Sequence, residues 1–460
     1  MTRTEPTLSE LSPVESFREF RDNGLRLDGP SLGLENVHDY EPGGHHPVEL
    51  GQVLNGRYKV INKLGNGGSS NVWLCYDMQQ ATGQYFAVKI LMADNSIEDC
   101  PELRVYRLLD RGLAKSEAAA NLCLPVARFD VKGPNGRHFA IVYPVLGPQV
   151  SSLRCMLGKD DPGRELRQVC FQAVQAMATL HSYGICHGDF RPANVLARVA
   201  GLTGLTEDQA VQAVGSPRTT KVVQYPQAHS WPSTAPRDLI RSIDWGSIDA
   251  GDAGIAFVST EACVAHFGES YDVRDLPEDL TIPQEYRPPE YILDKRLGIE
   301  SDIWALGCTL FEIRMGRPLF DIPHDDPDEH LARMVEILGK FPEPWWSATW
   351  EVRRRWFSDE MEGRSRSRPI SLRLPMGGVS KPFSSLNDMP LARPPIPRSI
   401  QDALTYTPAH DTDPCQISGH RAISIEETAL FADLLKKIFR YVPEQRIAPE
   451  DVLEHPWFRL

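Results

Sequence analysis

His187-Gly-Asp189-Phe-Arg191-Pro-Ala-Asn194 is the stretch from which the fold is read. An aspartate stands five residues before an asparagine, on a loop that follows the amphipathic segment Leu166–Leu180. One short turn therefore carries a proton acceptor and a metal-binding amide. Downstream, Ile303–Met315 is a nearly continuous apolar run of helical length, which predicts a buried helix. Ala332–Leu338 and Leu430–Phe439 predict further helices.

Upstream of that stretch the pattern is extended. Tyr58–Leu64 runs into Gly65-Asn-Gly67-Gly68-Ser-Ser-Asn-Val72-Trp-Leu74, and a turn at Ala81-Thr-Gly83 leads to Tyr85-Phe-Ala-Val-Lys89-Ile-Leu91. The spacing predicts strand, glycine loop, strand, turn, strand. Gly65 and Gly67 lack a Cβ, so their backbone can approach phosphates closely; a Gly-x-Gly pair by itself is common in turns. Lys89 has apolar flanks on both sides, which calls for a committed partner. Glu102, on the helix predicted over Glu98–Leu113, is the natural one. Phe139–Tyr143 predicts a short buried strand, and Leu146-Gly-Pro148 breaks the pattern.

Composition narrows the class. The 460 residues can bury a sizeable core in one large or two fused domains. No apolar run approaches the ~18–20 residues that span a bilayer, and Met1–Glu10 carries no apolar core of a secretory signal. Nine cysteines without a Cys-x-x-Cys pair fit reduced thiols, hence a cytoplasmic or nuclear protein. A net charge of −13 argues against direct nucleic-acid binding and suits a basic partner. Residues 1–50 hold four Arg, no Lys and ten Asp or Glu, so they form an acidic extension of charge −6. Residues 200–258 and 341–425 are long irregular stretches, the first with a helix signal at Thr206–Val214, and read as insertions.

Taken together the chain resembles a eukaryotic protein kinase. His187-Gly-Asp189 with Asn194 matches the catalytic loop, Gly65, Gly67 and Val72 follow the spacing of the glycine loop with Ser70 at its third glycine, and Phe86-Ala-Val-Lys89 matches the strand lysine. The resemblance implies Asp189 as base for a substrate hydroxyl, Asn194 as a magnesium ligand, and Arg191 in place of the usual loop lysine. It implies Lys89 and Glu102 as an ion pair holding ATP, with Gly65, Gly67, Val72 and the backbone of Pro144 and Leu146 around the nucleotide and Tyr143 behind it. Gly188 replaces an arginine that reads activation-loop phosphorylation, which suggests that such a switch is absent. Tyr286-Arg-Pro-Pro-Glu290, Ser301-Asp302-Ile-Trp304, Arg446 as partner of Glu290, and His455-Pro-Trp-Phe458 extend the likeness. Tyr40–Val48 before Asn55-Gly-Arg-Tyr58, Asp328–Pro342 and the insertion after Asn194 resemble the serine/arginine-rich protein kinases, fungal members in particular.

One motif departs from the family. The second metal-binding aspartate has two candidate positions, Ile243-Asp244-Trp245-Gly246 and Ala265-His266-Phe267-Gly268. Gly268 lies 20 residues before Pro288, a normal activation-segment length, whereas Gly246 lies 42 before it. The reading therefore takes His266 as the metal-site residue in place of aspartate, with Asp244 as the alternative. Imidazole is a poor ligand for Mg²⁺, so a pseudokinase scaffold that binds basic partners without catalysis stands beside the active enzyme. A third reading, a small-molecule phosphotransferase, shares the His187–Asn194 and Ile243–Gly246 motifs, but those lie 49 residues apart and that class lacks Tyr286–Glu290.

The expected fold is α+β, a two-lobed kinase fold: a small lobe of antiparallel strands over 51–145, a larger mainly helical lobe over 146–460, and ATP with Mg²⁺ between them. The expected reaction is transfer of the ATP γ-phosphoryl group to serine in arginine/serine-rich proteins, by a monomer that contacts neither nucleic acid nor membrane. Asp321, Asp325, Asp326, Asp328 and Glu329 form an acidic cluster suited either to a helix start or to docking such a substrate. Arg364-Ser-Arg-Ser-Arg368 reads as exposed linker or as a segment docking in cis. His45-His46 reads as a surface turn, Trp345, Trp346, Trp350 and Trp356 as packing, and Cys186 as buried filler.

Overall fold

The extended run that opens at Tyr58 folds as the centre of an antiparallel sheet. The computed structural model describes residues 23–80, 83–108, 112, 117–152, 162–225, 231–248, 258–279, 281–322, 325–355, 357, 399–405 and 423–460. It divides into two compact units. Unit 1 is drawn from Met1–Ile97, Pro125–Pro144 and Leu202–Asp244; unit 2 is drawn from Glu98–Leu124, Val145–Gly201 and Trp245–Leu460.

Unit 1 is built on a six-stranded antiparallel sheet. Its strands, in spatial order, are Val53–Leu54, Tyr58–Gly67, Ser70–Asp77, Tyr85–Leu91, Gly136–Pro144 and Ala127–Gly133. β-Branched and aromatic residues suit the pleat, and Tyr58, Val60, Trp73, Val88, Ile90, Ala140 and Val142 form one buried cluster. A smaller sheet joins the N-terminal extension to the first insertion: Leu25–Asp28 pairs with Thr219–Gln224, which pairs with Asp238–Ile240. Leu25, Val37, Tyr40, Val222, Ala235 and Leu239 are its core. The insertion also carries the helix Glu207–Val214, whose start is a capping box between Thr206 and Gln209. His45 and His46 are buried rather than at a surface turn. A Cβ at Gly133 would sit 2.5 Å from the His46 ring, and the His138 ring lies tilted against it with centroids 5.1 Å apart.

Unit 2 is mainly helical. Gly163–Ser182 and Ile299–Met315 cross its core, with Pro327–Leu338 and Ile425–Ile438 packed around them. The Ile299–Met315 helix is buried on nearly all sides, as its unbroken apolar run requires. Two small sheets carry the loops of interest: Val258–Val264, Val195–Val199 and Leu146–Gln149 in one, Ile185–Cys186 with Tyr271–Asp272 in the other. The helix read over Glu98–Leu113 is described only over Pro101–Leu108. Trp345, Trp346 and Trp350 pack with Phe341 and Phe357; Trp356 and the Arg364–Arg368 run lie outside the described residues.

These units are cut differently from the lobes read in the sequence. The boundary near 145 is common to both, but Leu202–Asp244 belongs with the strands of unit 1 and Glu98–Leu124 with unit 2. The reason is local: the insertion pairs with the extension and places Ile240 in the cluster of Val60, Trp73 and Val88. The extension over 1–50 is likewise not purely irregular, since it contributes Leu25–Asp28 and a turn of helix at Val37–Asp39.

The buried imidazoles make stability depend on pH. Burial, then the nearby charge of His138, lowers His46 to about 4; burial lowers His330 in unit 2 to about 4 as well. The unfolded chain titrates near 6.5, so below that pH it takes up protons that the folded chain refuses. Each histidine's contribution is fully present above 6.5 and fades as pH falls towards 4. Urea unfolding at pH 7 and pH 5 should show a loss on the order of 2 kcal/mol per histidine. His46→Phe should remove its share; a flat profile between those pH values would contradict the assignment.

Candidate active site

The catalytic-loop residues hang from one buried carboxylate. Asp302, in the first turn of Ile299–Met315, accepts the His187 N–H at 2.5 Å, the Gly188 N–H at 3.0 Å and His181 Nε2 at 3.1 Å. Burial alone would raise its carboxyl; the His181 bond, with His187, outweighs that and holds it below the usual carboxylate range. His187 donates from Nε2 to the Ala265 carbonyl at 3.0 Å, which leaves Nδ1 to accept the Asp189 N–H at 3.3 Å. Its ring rests against Phe190 and Phe267.

Asp189 is thereby presented with its carboxylate on two donors. Arg191 Nε lies 3.0 and 3.1 Å from its oxygens, and Asn194 Nδ2 lies 2.7 Å from Oδ2. Asn194 Nδ2 also donates to the Asp189 carbonyl at 2.7 Å, so its amide oxygen is the atom it can offer a cation. The structure thus brings Asp189, Arg191 and Asn194 together in one turn of unit 2.

His266 adjoins them through the backbone. Val195 pairs with Val264, and Ala265 N–H donates to the Asn194 carbonyl at 2.9 Å. His266 follows in the left-handed region, at φ +66° and ψ +61°. Phe267 is buried in the core. Glu102 is buried in the first turn of Pro101–Leu108, and a Cβ at Gly268 would lie 3.0 Å from its Oε1. Arg104 Nη1 donates to the Ser270 carbonyl at 2.9 Å, fastening that helix to the same turn. Asp244 falls in unit 1, 3.5 Å from Arg218.

Gly188 has a steric reason as well as the one read from sequence. It sits at φ +78°, and a Cβ there would run into the Glu269 carbonyl oxygen. No side chain fits at 188 while the His266–Glu269 turn lies where it does.

In unit 1, Gly65, Val72, Lys89 and Ile141 pair in sequence across four neighbouring strands. Three of the expected nucleotide residues thus share one row of the sheet. A methyl group added at Gly65, Gly67 or Gly68 would meet nothing within 4 Å, and none of the three has a positive φ. Neither packing nor backbone conformation demands glycine there. Lys89 is buried, and it and Glu102 fall in different units. Of the residues expected around adenine, Pro144 pairs with Phe86 in unit 1 and Leu146 with Arg198 in unit 2.

One feature escaped the sequence reading. Glu312 is the one acid in the apolar run Ile303–Met315, which was the available signal. It accepts the Tyr286 hydroxyl at 2.6 Å. Burial raises its carboxyl, and neighbouring Glu285 adds to that while Arg191 opposes it. Conversely, much of the acidic cluster serves the fold. Asp326 caps Pro327–Leu338, Asp328 accepts Trp350 Nε1 at 2.8 Å and Glu329 is buried, leaving Asp321 and Asp325 exposed. His181, Cys186 and Asp302 lie close enough to share a metal. Asp302 already uses both oxygens on the loop, however, and burial pushes the Cys186 thiol far up, so a structural role accounts for all three.

The chain is similar to known protein kinases. The family described as "Protein kinase domain" matches residues 264–458. The serine/threonine-protein kinase SRPK of Physarum polycephalum is 28% identical over 337 residues, covering 70% of this chain and 75% of that protein. The dual specificity protein kinase lkh1 of Schizosaccharomyces pombe is 26% identical over 419 residues, covering 90% of this chain but 49% of its own length. A crystal structure titled as a kinase domain superposes with a TM-score of 0.53 at 19% identity, covering 90% of this chain and 98% of that one, a likeness of fold.

Proposed function

We propose that this chain, a protein serine/threonine kinase resembling the serine/arginine-rich protein kinases, phosphorylates serine in arginine- and serine-rich proteins. The observation that carries the reading is Asp189, held by Arg191 and Asn194 on a loop anchored to Asp302. Its carboxylate accepts the serine proton as the hydroxyl attacks. Unit 1 offers glycine-loop amides and Lys89 to the phosphates of ATP, and unit 2 offers the Asn194 amide oxygen and His266 to a divalent cation. That cation would neutralise phosphate charge. Glu312 faces Arg191 and has Glu285 as a neighbour, and these acids favour a basic acceptor segment; exposed Asp321 and Asp325 add to it. The same reading has the protein act as a monomer in the cytoplasm or nucleus.

One observation favours a second reading. His266 occupies the backbone position beside Asn194 where an oxygen ligand for Mg²⁺ belongs, which suits a scaffold that keeps the fold and the basic-partner surface without turnover. Two measurements separate the readings. The active enzyme incorporates phosphate from ATP into an arginine–serine peptide, and saturating ATP with Mg²⁺ or Mn²⁺ raises its melting temperature; at a hundred times Kd the stabilisation is about 2.7 kcal/mol. A nucleotide-induced shift without incorporation supports the scaffold. Neither signal would sink both nucleotide-dependent readings.

A further inference from the structure

The strand that carries the glycine loop has an edge that its own sheet does not cover. On one side Tyr58–Gly67 pairs with Ser70–Asp77 along its length. On the other, Val53–Leu54 reaches Lys59 and Tyr58, and Gln52 and Gly51 bond Val60, so the cover ends at Val60. Farther along, the insertion takes over. Asn62 Nδ2 donates to the Gly215 carbonyl at 3.0 Å, Ile243 N–H donates to the Lys63 carbonyl at 2.8 Å, and Ser242 Oγ donates to Asn66 Oδ1 at 3.1 Å. Asn66 is the residue between Gly65 and Gly67.

The extension holds the same strand from its side chains. Lys63 Nζ lies 2.5 Å from Glu35 Oε2 with neither side chain exposed, and Tyr40 donates its hydroxyl to Glu35 Oε1 at 2.7 Å. Lys63 thus has its carbonyl tied to the insertion and its ammonium tied to the extension, two residues before Gly65. Ile240, three residues before Ile243, is anchored in the sheet's core. Its tip is held by the pairing of Gly65, Asn66 and Gly67 with Val72, Asn71 and Ser70, but Asn66 and Gly67 are exposed and nothing packs where a side chain would stand on Gly65, Gly67 or Gly68.

We propose that the extension and the insertion together form a brace that positions the glycine loop for nucleotide, with Ser242, Ile243 and the Lys63–Glu35 pair as its positioning residues. This rests on the kinase reading above. The insertion is then part of the nucleotide-binding apparatus rather than a spacer. A loop that must be ordered at each binding event binds more weakly than one already in place, and the brace removes that ordering cost.

The test uses the full chain. Ser242→Ala with Ile243→Pro removes both donors, since proline has no N–H; Ser242→Thr keeps the hydroxyl. Hydrogen exchange at the amides of residues 64–70 and the Kd for ADP with Mn²⁺ are the readouts. The double variant should exchange there about tenfold faster and bind ADP about five- to tenfold more weakly, the loss expected for two hydrogen bonds. The KM for ATP should rise in step while kcat holds, and Ser242→Thr should behave as wild type. Unchanged exchange and unchanged Kd in a variant of wild-type melting temperature would overturn the brace. Should Ile243→Pro not fold, Ser242→Ala alone, read at the same amides, decides it. Exchange is measured without nucleotide, so a wild-type chain that fails to bind ADP overturns the nucleotide role together with the kinase reading, whereas unchanged exchange condemns the brace alone.

Discussion

On the proposed reading, in which His266 stands at the metal position, His266→Asp should raise kcat for phosphorylation of an arginine–serine peptide in Mg²⁺ on the order of a thousandfold, because it would supply an oxygen ligand in place of imidazole. A missing carboxylate in a metal clamp withholds several kcal/mol from the transition state, and ~4 kcal/mol corresponds to that factor. The backbone is prepared for the change. His266 lies in the left-handed region, which aspartate tolerates as readily as histidine. Its position is fixed by the Val195–Val264 pairing and by the Ala265 bond to Asn194, neither of which involves the side chain. Adding Asp189→Asn to the variant should erase the gain, since the proton acceptor is then gone. A His266→Asp protein with wild-type rates would mean that something other than this ligand limits turnover.

Removing the Glu290 carboxylate should destabilise unit 2 by about 3–5 kcal/mol, the loss typical of a broken buried ion pair. Arg446 meets Glu290 through two bonds of 2.7 Å, with both side chains essentially inaccessible. Its guanidinium also donates to the carbonyls of Glu300 and Arg440 and lies over the Trp304 ring. Glu290→Ala leaves that charge without its carboxylate. The double replacement Glu290→Leu with Arg446→Met removes the charge as well and should recover most of the loss. Urea midpoints for the single and double variants give the comparison. A single-variant loss below about 1 kcal/mol would show that the pair is not what holds this corner.

The parts legible in the sequence are those whose information is local. Asp189 and Asn194 lie in one turn, so their spacing alone marks them as a candidate pair; Thr206–Val214 carries a helix signal; the apolar run through Ile303 demands burial. What escaped depends on partners far along the chain. Leu25–Asp28 is too short to show a period, and its partner strand begins at Thr219. Nothing in Tyr58–Leu64 marks Lys63 as buried, because Glu35 supplies the reason. The buried state of His46 depends on Gly133 and His138. Glu312 is hidden for the opposite reason: it stands within the apolar run Ile303–Met315, and the hydroxyl it meets belongs to Tyr286 on another segment.

The small sheet of unit 1 also sets an order of events during synthesis. Leu25 emerges from the ribosome early, yet its partner Gln224 follows only after roughly 200 more residues. By then Glu98–Leu124 and Val145–Gly201, both belonging to the other unit, have been made. The first strand therefore waits unpaired while much of a different unit becomes able to form, and contacts of such long range form slowly. Truncation before residue 219 would leave that strand edge permanently bare, a template for pairing with other chains.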